Sequence, residues 1–274
     1  MKEITLLLVK SLLKTRERES NKSDYGHCLL INGNSGKMGA AIISSKACLR
    51  AGVGLLSVNV PAKEGIIMQI SVPEAMIEKR EENTINFEKY QAIGIGSGFG
   101  LDTQSEKTLK NVILNSNCPL LIDADALTLL AQQEKPIKLP LNTIITPHEK
   151  EFDRLFGSHS RREDRLITAK SKASELNIII VLKGSNTVII NSTEQFINTI
   201  GNSGLAKAGS GDALTGIISA FLSQGYLPIE ATIIGVYIHS LAADLTLKNQ
   251  SLESMLITDV IESLGYAFNY ISKT

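Results

Sequence analysis

Cys28-Leu29-Leu30-Ile31-Asn32, a helical stretch over 40–51 and Leu55-Leu56-Ser57-Val58-Asn59-Val60 follow one another as strand, helix and strand. That succession is the signature of a βαβ unit, and a βαβ unit calls for a parallel sheet. A short helix over 63–70 comes next. The apolar runs Ala92-Ile93-Gly94-Ile95, Pro119-Leu120-Leu121-Ile122, Thr143-Ile144-Ile145-Thr146 and Ile178-Ile179-Ile180-Val181-Leu182 each adjoin helical sequence. Continuous runs of this kind suit strands covered on both faces. Residues 187–191 and 195–198 read as a closing antiparallel pair joined through Ser192-Thr193-Glu194, and 212–224, 229–249 and 257–272 read as helices.

Residues 1–13 read as an amphipathic opening helix, and 14–24 as a charge-dense linker. The fold proper starts near Tyr25. No internal repeat, low-complexity segment or Pro-rich linker divides the rest, so a single three-layer α/β domain is expected, with functional loops at the carboxyl ends of its strands.

The 274 residues are 43% hydrophobic, enough for a substantial core. Lys plus Arg equals Asp plus Glu at 28 each, so no overall basic field draws the chain to nucleic acid or an acidic membrane surface. The apolar stretch Leu6-Leu7-Leu8-Val9 is cut by Lys10, too early for a signal peptide, and no run approaches the roughly 18 residues of a membrane span. A cytoplasmic protein with small-molecule partners is expected. Cys28, Cys48 and Cys118 lack any C-x-x-C spacing and read as reduced thiols.

The chemistry concentrates in Gly201-Asn202-Ser203-Gly204-Leu205-Ala206-Lys207-Ala208-Gly209-Ser210-Gly211-Asp212-Ala213-Leu214-Thr215-Gly216. Glycines crowd the chain just before a helix, where converging backbone N–H groups and the positive end of the helix dipole suit an anion. Asp212 stands at that junction, so the run reads either as a phosphoryl-transfer centre with Asp212 as base or as a glycine-rich loop capped by an Asp. Two nucleotide signatures fail. Gly33-Asn34-Ser35-Gly36-Lys37-Met38 lacks Walker spacing, and Gly94-Ile95-Gly96-Ser97-Gly98-Phe99-Gly100 contains no G-x-G-x-x-G. Both loops still permit close backbone approach to a ligand.

Thr146-Pro147-His148-Glu149-Lys150-Glu151 reads as a helix start capped by Thr146 with Pro147 in the first position. There His148 and Glu151, at i and i+3, are placed to hydrogen-bond substrate and to order a magnesium-bound water. Asp123 and Asp125 serve equally as helix caps or as members of a magnesium and substrate network. Lys183-Gly184-Ser185-Asn186-Thr187 suits a nucleotide phosphate or ribose, or a hairpin turn. His27, His159 and His239 read as packing or surface residues.

In this order the motifs resemble those of the ADP- or ATP-dependent NAD(P)H-hydrate dehydratases, a branch of the ribokinase-like superfamily. The carriers are Tyr25-Gly26-His27, Gly39-Ala40-Ala41, Arg50-Ala51-Gly52-Val53-Gly54, Gly96-Ser97-Gly98-Phe99-Gly100, Asp123-Ala124-Asp125-Ala126-Leu127, Thr146-Pro147-His148 with Glu151, Leu182-Lys183-Gly184 and the 201–216 run. The resemblance implies a ribokinase-like three-layer α/β/α sandwich with a mostly parallel central sheet over residues 25–274. It implies repair of hydrated nicotinamide cofactors: the S epimers of the NADH and NADPH hydrates are phosphorylated on the added hydroxyl by ADP, or by ATP, and then lose phosphate. With ADP as donor the products include AMP.

On the same resemblance Asp212 is the base, and N–H groups around Gly209, Ser210 and Gly211 hold the phosphoryl group. Lys183, Gly184, Ser185, Asn186, Thr187 and Gly211 line the nucleotide; Ala40, Gly98, Gly100 and His148 with Asp212 contact the hydrated dinucleotide; Mg2+ bridges the donor phosphates, with Glu151 reaching it through water. A homotetramer is implied, and a separate NAD(P)H-hydrate epimerase, because the chain is too short to hold that domain. The sequence departs from the family where Ser97 replaces the usual proline and Ala208 the usual glycine. The rival readings are a ribokinase-like kinase of a vitamin precursor, such as hydroxyethylthiazole or hydroxymethylpyrimidine, and a non-catalytic nucleotide sensor. A pure binder gains nothing from a carboxylate beside bound phosphates, which counts against the sensor.

Overall fold

In the computed structural model, which describes residues 1–82, 85–134 and 137–273, the chain opens with a strand β1 (Lys2–Glu3) and a helix α1 (Leu6–Leu12). The βαβ unit follows as β2 (His27–Ile31), α2 (Met38–Arg50) and β3 (Leu55–Val60). Next come α3 (Gly65–Ser71), β4 (Met76–Lys79), β5 (Ala92–Ile95), α4 (Thr103–Asn115), β6 (Leu120–Ile122) and α5 (Ala124–Ala131). Then β7 (Ile144–Ile145), α6 (Glu149–Phe156), α7 (Arg162–Leu176) and β8 (Ile179–Leu182) lead to a hairpin of β9 (Val188–Ile190) and β10 (Gln195–Ile197). The chain closes with α8 (Ser210–Ser223), α9 (Pro228–Thr246), α10 (Ile257–Glu262) and α11 (Leu264–Lys273).

One sheet holds all the described strands in the order β1-β10-β9-β8-β7-β6-β5-β2-β3-β4, and only β9 runs against its neighbours. The expected mostly parallel sheet is therefore present, with the antiparallel pair where the sequence placed it. Each continuous apolar run feeds two cores. In β2, Cys28 and Leu30 pack on the side of α2, α8 and α9, while Leu29 and Ile31 pack with residues of α4 to α7 on the other. Helices on both faces make the three layers.

The amino-terminal segment departs from its reading as a helix alone. Lys2 and Glu3 pair with Phe196 and Ile197 to form an edge of the sheet, and Val9 of α1 is fully buried.

Because the strands run in parallel, the segments after β2, β5, β6, β7 and β8 emerge along one edge of the sheet. The order turns between β2 and β5, whose crossovers leave in opposite directions. A crevice opens at such a switch point.

Helix α6, which carries Glu151, is fastened to α7 by a buried cation. Arg165 donates from Nε and Nη2 to the two oxygens of Asp153 at 2.9 and 2.8 Å, and the His159 ring is paired with the same carboxylate at 2.9 Å. These contacts, those of Arg165 foremost, hold the Asp153 carboxyl well below the usual carboxylate range. A depressed pKa gives stability that is present above the unfolded value near ~4 and lost as pH falls below it. We expect Asp153→Ala to lower the unfolding free energy by about 3 kcal/mol at neutral pH, because it leaves a buried guanidinium with only Glu149 at 3.5 Å and the His159 carbonyl at 3.1 Å among the described residues. Chemical denaturation at pH 7 and pH 3 checks this: the gap between wild type and variant should shrink in acid.

Candidate functional site

The amino end of α8 is open. Gly209 caps it with φ +95°, a left-handed conformation that favours glycine. Ser210 N–H donates to Lys207 O at 3.3 Å and Ala213 N–H to Gly209 O at 2.9 Å, so the N–H groups of Gly211 and Asp212 between them have no partner among the described residues. Two free donors at a helix amino end make an anion cradle. A Cβ placed on Gly211 would stand 3.3 Å from Lys183 Nζ and 3.6 Å from Asp123 Oδ2, which locates the cradle against those two charges.

Asp123, at the end of β6, is 1% exposed. Its Oδ1 accepts from Lys183 Nζ at 2.8 Å and its Oδ2 from the Thr215 hydroxyl at 2.9 Å. The carboxylate therefore makes no side-chain cap for α5 and instead ties β6, the end of β8 and the first turns of α8 together. Burial opposes the charge on Lys183, but Asp123, Glu151 and Asp212 around it hold its pKa above the ordinary lysine value. Asp125 also leaves capping aside: its Oδ2 accepts from Gly100 N–H at 2.9 Å and from Lys37 Nζ at 3.0 Å.

Asp212 lies in the first turn of α8. Burial foremost, with the nearby charge of Asp123, pushes its pKa above the usual range, while the Ser97 hydroxyl and Lys183 pull the other way. That hydroxyl is buried and has no hydrogen bond of normal geometry. A carboxylate so poised is a proton acceptor stronger than an exposed Asp.

The segment after β7 corrects one expectation. His148, not Thr146, caps α6: its Nδ1 accepts from Lys150 N–H at 3.1 Å and Glu151 N–H at 3.2 Å, and Glu151 Oε2 accepts from His148 N–H at 2.8 Å. Pro147 thus precedes the helix, and the Thr146 hydroxyl is buried without a partner. Because Nδ1 is an acceptor, Nε2 carries the ring proton, 3.4 Å from Glu151 Oε1, on a side chain that is half exposed. Glu151 is buried, with its carboxylate 3.9 Å from Lys183 Nζ.

A cavity of about 700 Å³ joins these groups. Of the residues singled out in the sequence, Lys183, Gly184, Ser185, Thr187, Ser210, Gly211, Asp212 and His148 line it; Asn186, Gly209 and Glu151 do not. Asn186 instead gives its carbonyl to Arg162. Ala40, Gly98 and Gly100 gather separately at the switch point, where a Cβ on Gly98 would come 2.8 Å from the Ala40 methyl. Ala208, next to Gly209 at the start of α8, is exposed.

His239, read as packing or surface, is 5% exposed and lines the same cavity with its Nε2 unpartnered; burial lowers its pKa to about 4, so it stays neutral. The Oδ1 of Asn198, another lining residue, is also without a partner. Neither stands in a local motif that would have drawn notice. A larger cavity, about 1120 Å³, lies near the amino ends of β2 and β3 between residues such as Arg16, Tyr25, Gly52 and Tyr226, and is lined by none of the candidate catalytic, nucleotide, substrate or metal residues.

Among the described residues no group of three or more His, Cys, Asp or Glu could hold a metal ion. Mg2+ does not need one, since it keeps its waters and binds through one or two carboxylates together with substrate phosphates. Both oxygens of Asp123 are already engaged, whereas Glu151 Oε1 meets only the His148 ring. Glu151 therefore suits contact through water. Among the described residues no helix is long and apolar enough to cross a membrane.

Comparison with known proteins identifies the family and the fold. The family model for NAD(P)H-hydrate dehydratase matches residues 28–265. The ADP-dependent (S)-NAD(P)H-hydrate dehydratase of Enterococcus faecalis is 36% identical over 250 residues, 89% of this chain and 85% of that one. A solved ribokinase-like superfamily protein of that organism superposes with a TM-score of 0.90 at 34% identity, covering 98% of this chain and 96% of the other. The ADP/ATP-dependent NAD(P)H-hydrate dehydratase of Bacillus subtilis, co-crystallized with ATP/Mg2+, gives a TM-score of 0.90 at 30% identity, with 98% of each chain covered. The bifunctional NAD(P)H-hydrate repair enzyme of Moorella thermoacetica is 32% identical over 98% of this chain, which spans 54% of its length. The fold is ribokinase-like, and the chain belongs to the NAD(P)H-hydrate dehydratase family.

Proposed function

We propose that this chain dehydrates the S epimers of NADH and NADPH hydrates, with ADP in preference to ATP as phosphoryl donor, releasing AMP and phosphate. The observation that carries this reading is a carboxylate, Asp212, at an anion cradle whose N–H groups have no partner among the described residues. The name of the E. faecalis relative supports the donor and the epimer.

On this reading Asp212 takes the proton of the substrate hydroxyl while its oxygen bonds to the terminal phosphorus of ADP and the bond to AMP breaks. The Gly211 and Asp212 N–H groups hold the transferring oxygens, and Lys183 balances their charge. The ester then departs as phosphate with the C–O bonding pair, a proton leaves the adjacent ring carbon, and the double bond of the reduced nicotinamide returns. Mg2+, held by the donor phosphates and through water by Glu151, neutralises phosphate charge when bound. Lys183, Gly184, Ser185, Asn186 and Thr187 take the nucleotide, with Gly209, Ser210 and Gly211 at its phosphates. Ala40, Gly98, Gly100 and the Nε2–H of His148 take the hydrated dinucleotide. The enzyme is read as a cytoplasmic homotetramer, and because only one epimer is consumed it works beside a separate epimerase.

Recovery of reduced-nicotinamide absorbance from hydrated NADH, Mg2+ and ADP or ATP tests the reaction. Donor-dependent recovery supports it. Accumulation of a phosphorylated vitamin precursor, with no recovery from hydrated NADH, supports a kinase instead.

Asp212→Asn should bind nucleotide yet lower kcat by about 10³-fold or more, and near-normal turnover would remove Asp212 as the base. Its raised pKa displaces the acidic limb of kcat/KM upward: activity should fall as pH drops through a value higher than that of an unperturbed Asp. A limb at or below the unperturbed Asp value would contradict that environment. His148→Asn, which keeps a capping side chain, should raise KM for hydrated NADH about tenfold with little change for ADP. Steady-state kinetics with each substrate varied in turn decides it.

A further inference from the structure

Arg80, directly after β4, is 3% exposed, and among the described residues none of its hydrogen-bond acceptors is charged. Nε donates to Asn59 Oδ1 at 3.1 Å, Nη1 to Gly33 O at 2.9 Å and Phe99 O at 3.3 Å, and Nη2 to Asn32 O at 3.0 Å and Asn59 O at 2.9 Å. All five N–H donors of the guanidinium are thereby used. Its central carbon also lies 4.7 Å from the centre of the Phe99 ring. Burial lowers its pKa only to about 10, so the group is cationic at neutral pH.

Burying a cation on neutral acceptors is costly, and a fold with no use for it would fill the space with an apolar side chain. The acceptors show what is gained. Four are main-chain carbonyls, at Asn32 and Gly33 just after β2, at Asn59 near the end of β3 and at Phe99 after β5, so one side chain ties three segments together. A guanidinium is planar and forked, so it holds these segments in one fixed arrangement, as a flexible ammonium with three donors cannot.

The joined segments border the switch point. Gly33 begins the segment leading to Ala40, Phe99 lies between Gly98 and Gly100, and Gly98 abuts Ala40. Asn34 Nδ2 and the Ser105 hydroxyl also reach Phe99 O, at 3.0 and 2.9 Å, but of these three side chains only Arg80 brings in β3. The nucleotide half of the site is held separately, by Lys183, Asp123 and Thr215.

We propose that Arg80 is a positioning residue that sets the spacing of the Gly33 and Phe99 segments for the hydrated dinucleotide, without touching that substrate. The inference rests on the reading above that Ala40, Gly98 and Gly100 take the dinucleotide.

The test uses Arg80→Met and Arg80→Lys, with thermal unfolding, steady-state kinetics for hydrated NADH and for ADP, and amide hydrogen exchange. Arg80→Met should raise KM for hydrated NADH at least about tenfold while KM for ADP stays within about twofold, the loss expected when charged hydrogen bonds act on one substrate only. Arg80→Lys should fall between, since it keeps the charge but not the fork. Exchange should quicken at Gly33 and Gly100 and stay unchanged at Ala213, whose N–H is bonded to Gly209 O. A folded variant with an unaltered ratio of the two KM values overturns the proposal, as does failure of both variants to fold, which would make Arg80 a requirement of the fold itself. If wild type leaves hydrated NADH untouched, the proposed function fails and exchange alone judges the clamp: quickening confined to Gly33 and Gly100 supports it, and no change there overturns it.

Discussion

The carboxylate of Asp123 is the constraint on which the nucleotide half of the site depends. It has no water to face, so each of its oxygens must be met from within the protein, and Lys183 and Thr215 meet them from the end of β8 and from α8. Satisfying one buried acid thus draws two strand ends and a helix terminus into register. Gly211, in the first turn of α8, comes to lie beside the Lys183 cation because of that demand.

A second acid can then remain beside the first. Lys183 neutralises Asp123 and draws on Asp212 and Glu151 as well, so no carboxylate in the group stands unopposed. The opposition is incomplete at Asp212, where burial and the charge of Asp123 outweigh Lys183 and Ser97. Incomplete compensation is what gives a carboxylate the basicity to accept a proton from a hydroxyl. On the other side of the crevice the same problem is solved with the opposite sign: Arg80 is a buried cation satisfied by converging carbonyls.

Legibility in the sequence followed the strength of the local signal. Runs such as Ala92–Ile95 were plain, because strands covered on both faces admit few polar residues. β1 and β4 were not. Each lies at an edge of the sheet, β1 has two exposed residues, and β4 has no fully buried residue and no continuous apolar run. The cap of α6 was misassigned by two residues because Thr146 and His148 both offer a side-chain acceptor, and only the path of the chain after β7 decides which reaches the free N–H groups. His239 gave no local cue: it sits on α9, a helix buried along most of its length, among residues whose pattern says core.

The sequence by itself determined the α/β class, the direction of most strands, the helix that follows the glycine-rich run and the family, since each rests on periodicity or on residues contiguous in the chain. Tertiary structure alone decided which charges meet. Asp123 and Thr215 are 92 positions apart, Asp123 and Lys183 are 60 apart, and Arg80 is 47 from Gly33. No local pattern encodes such pairings. They exist because parallel strands deliver distant segments to one edge of a sheet, where a buried charge is stable only beside the partners that arrive with it.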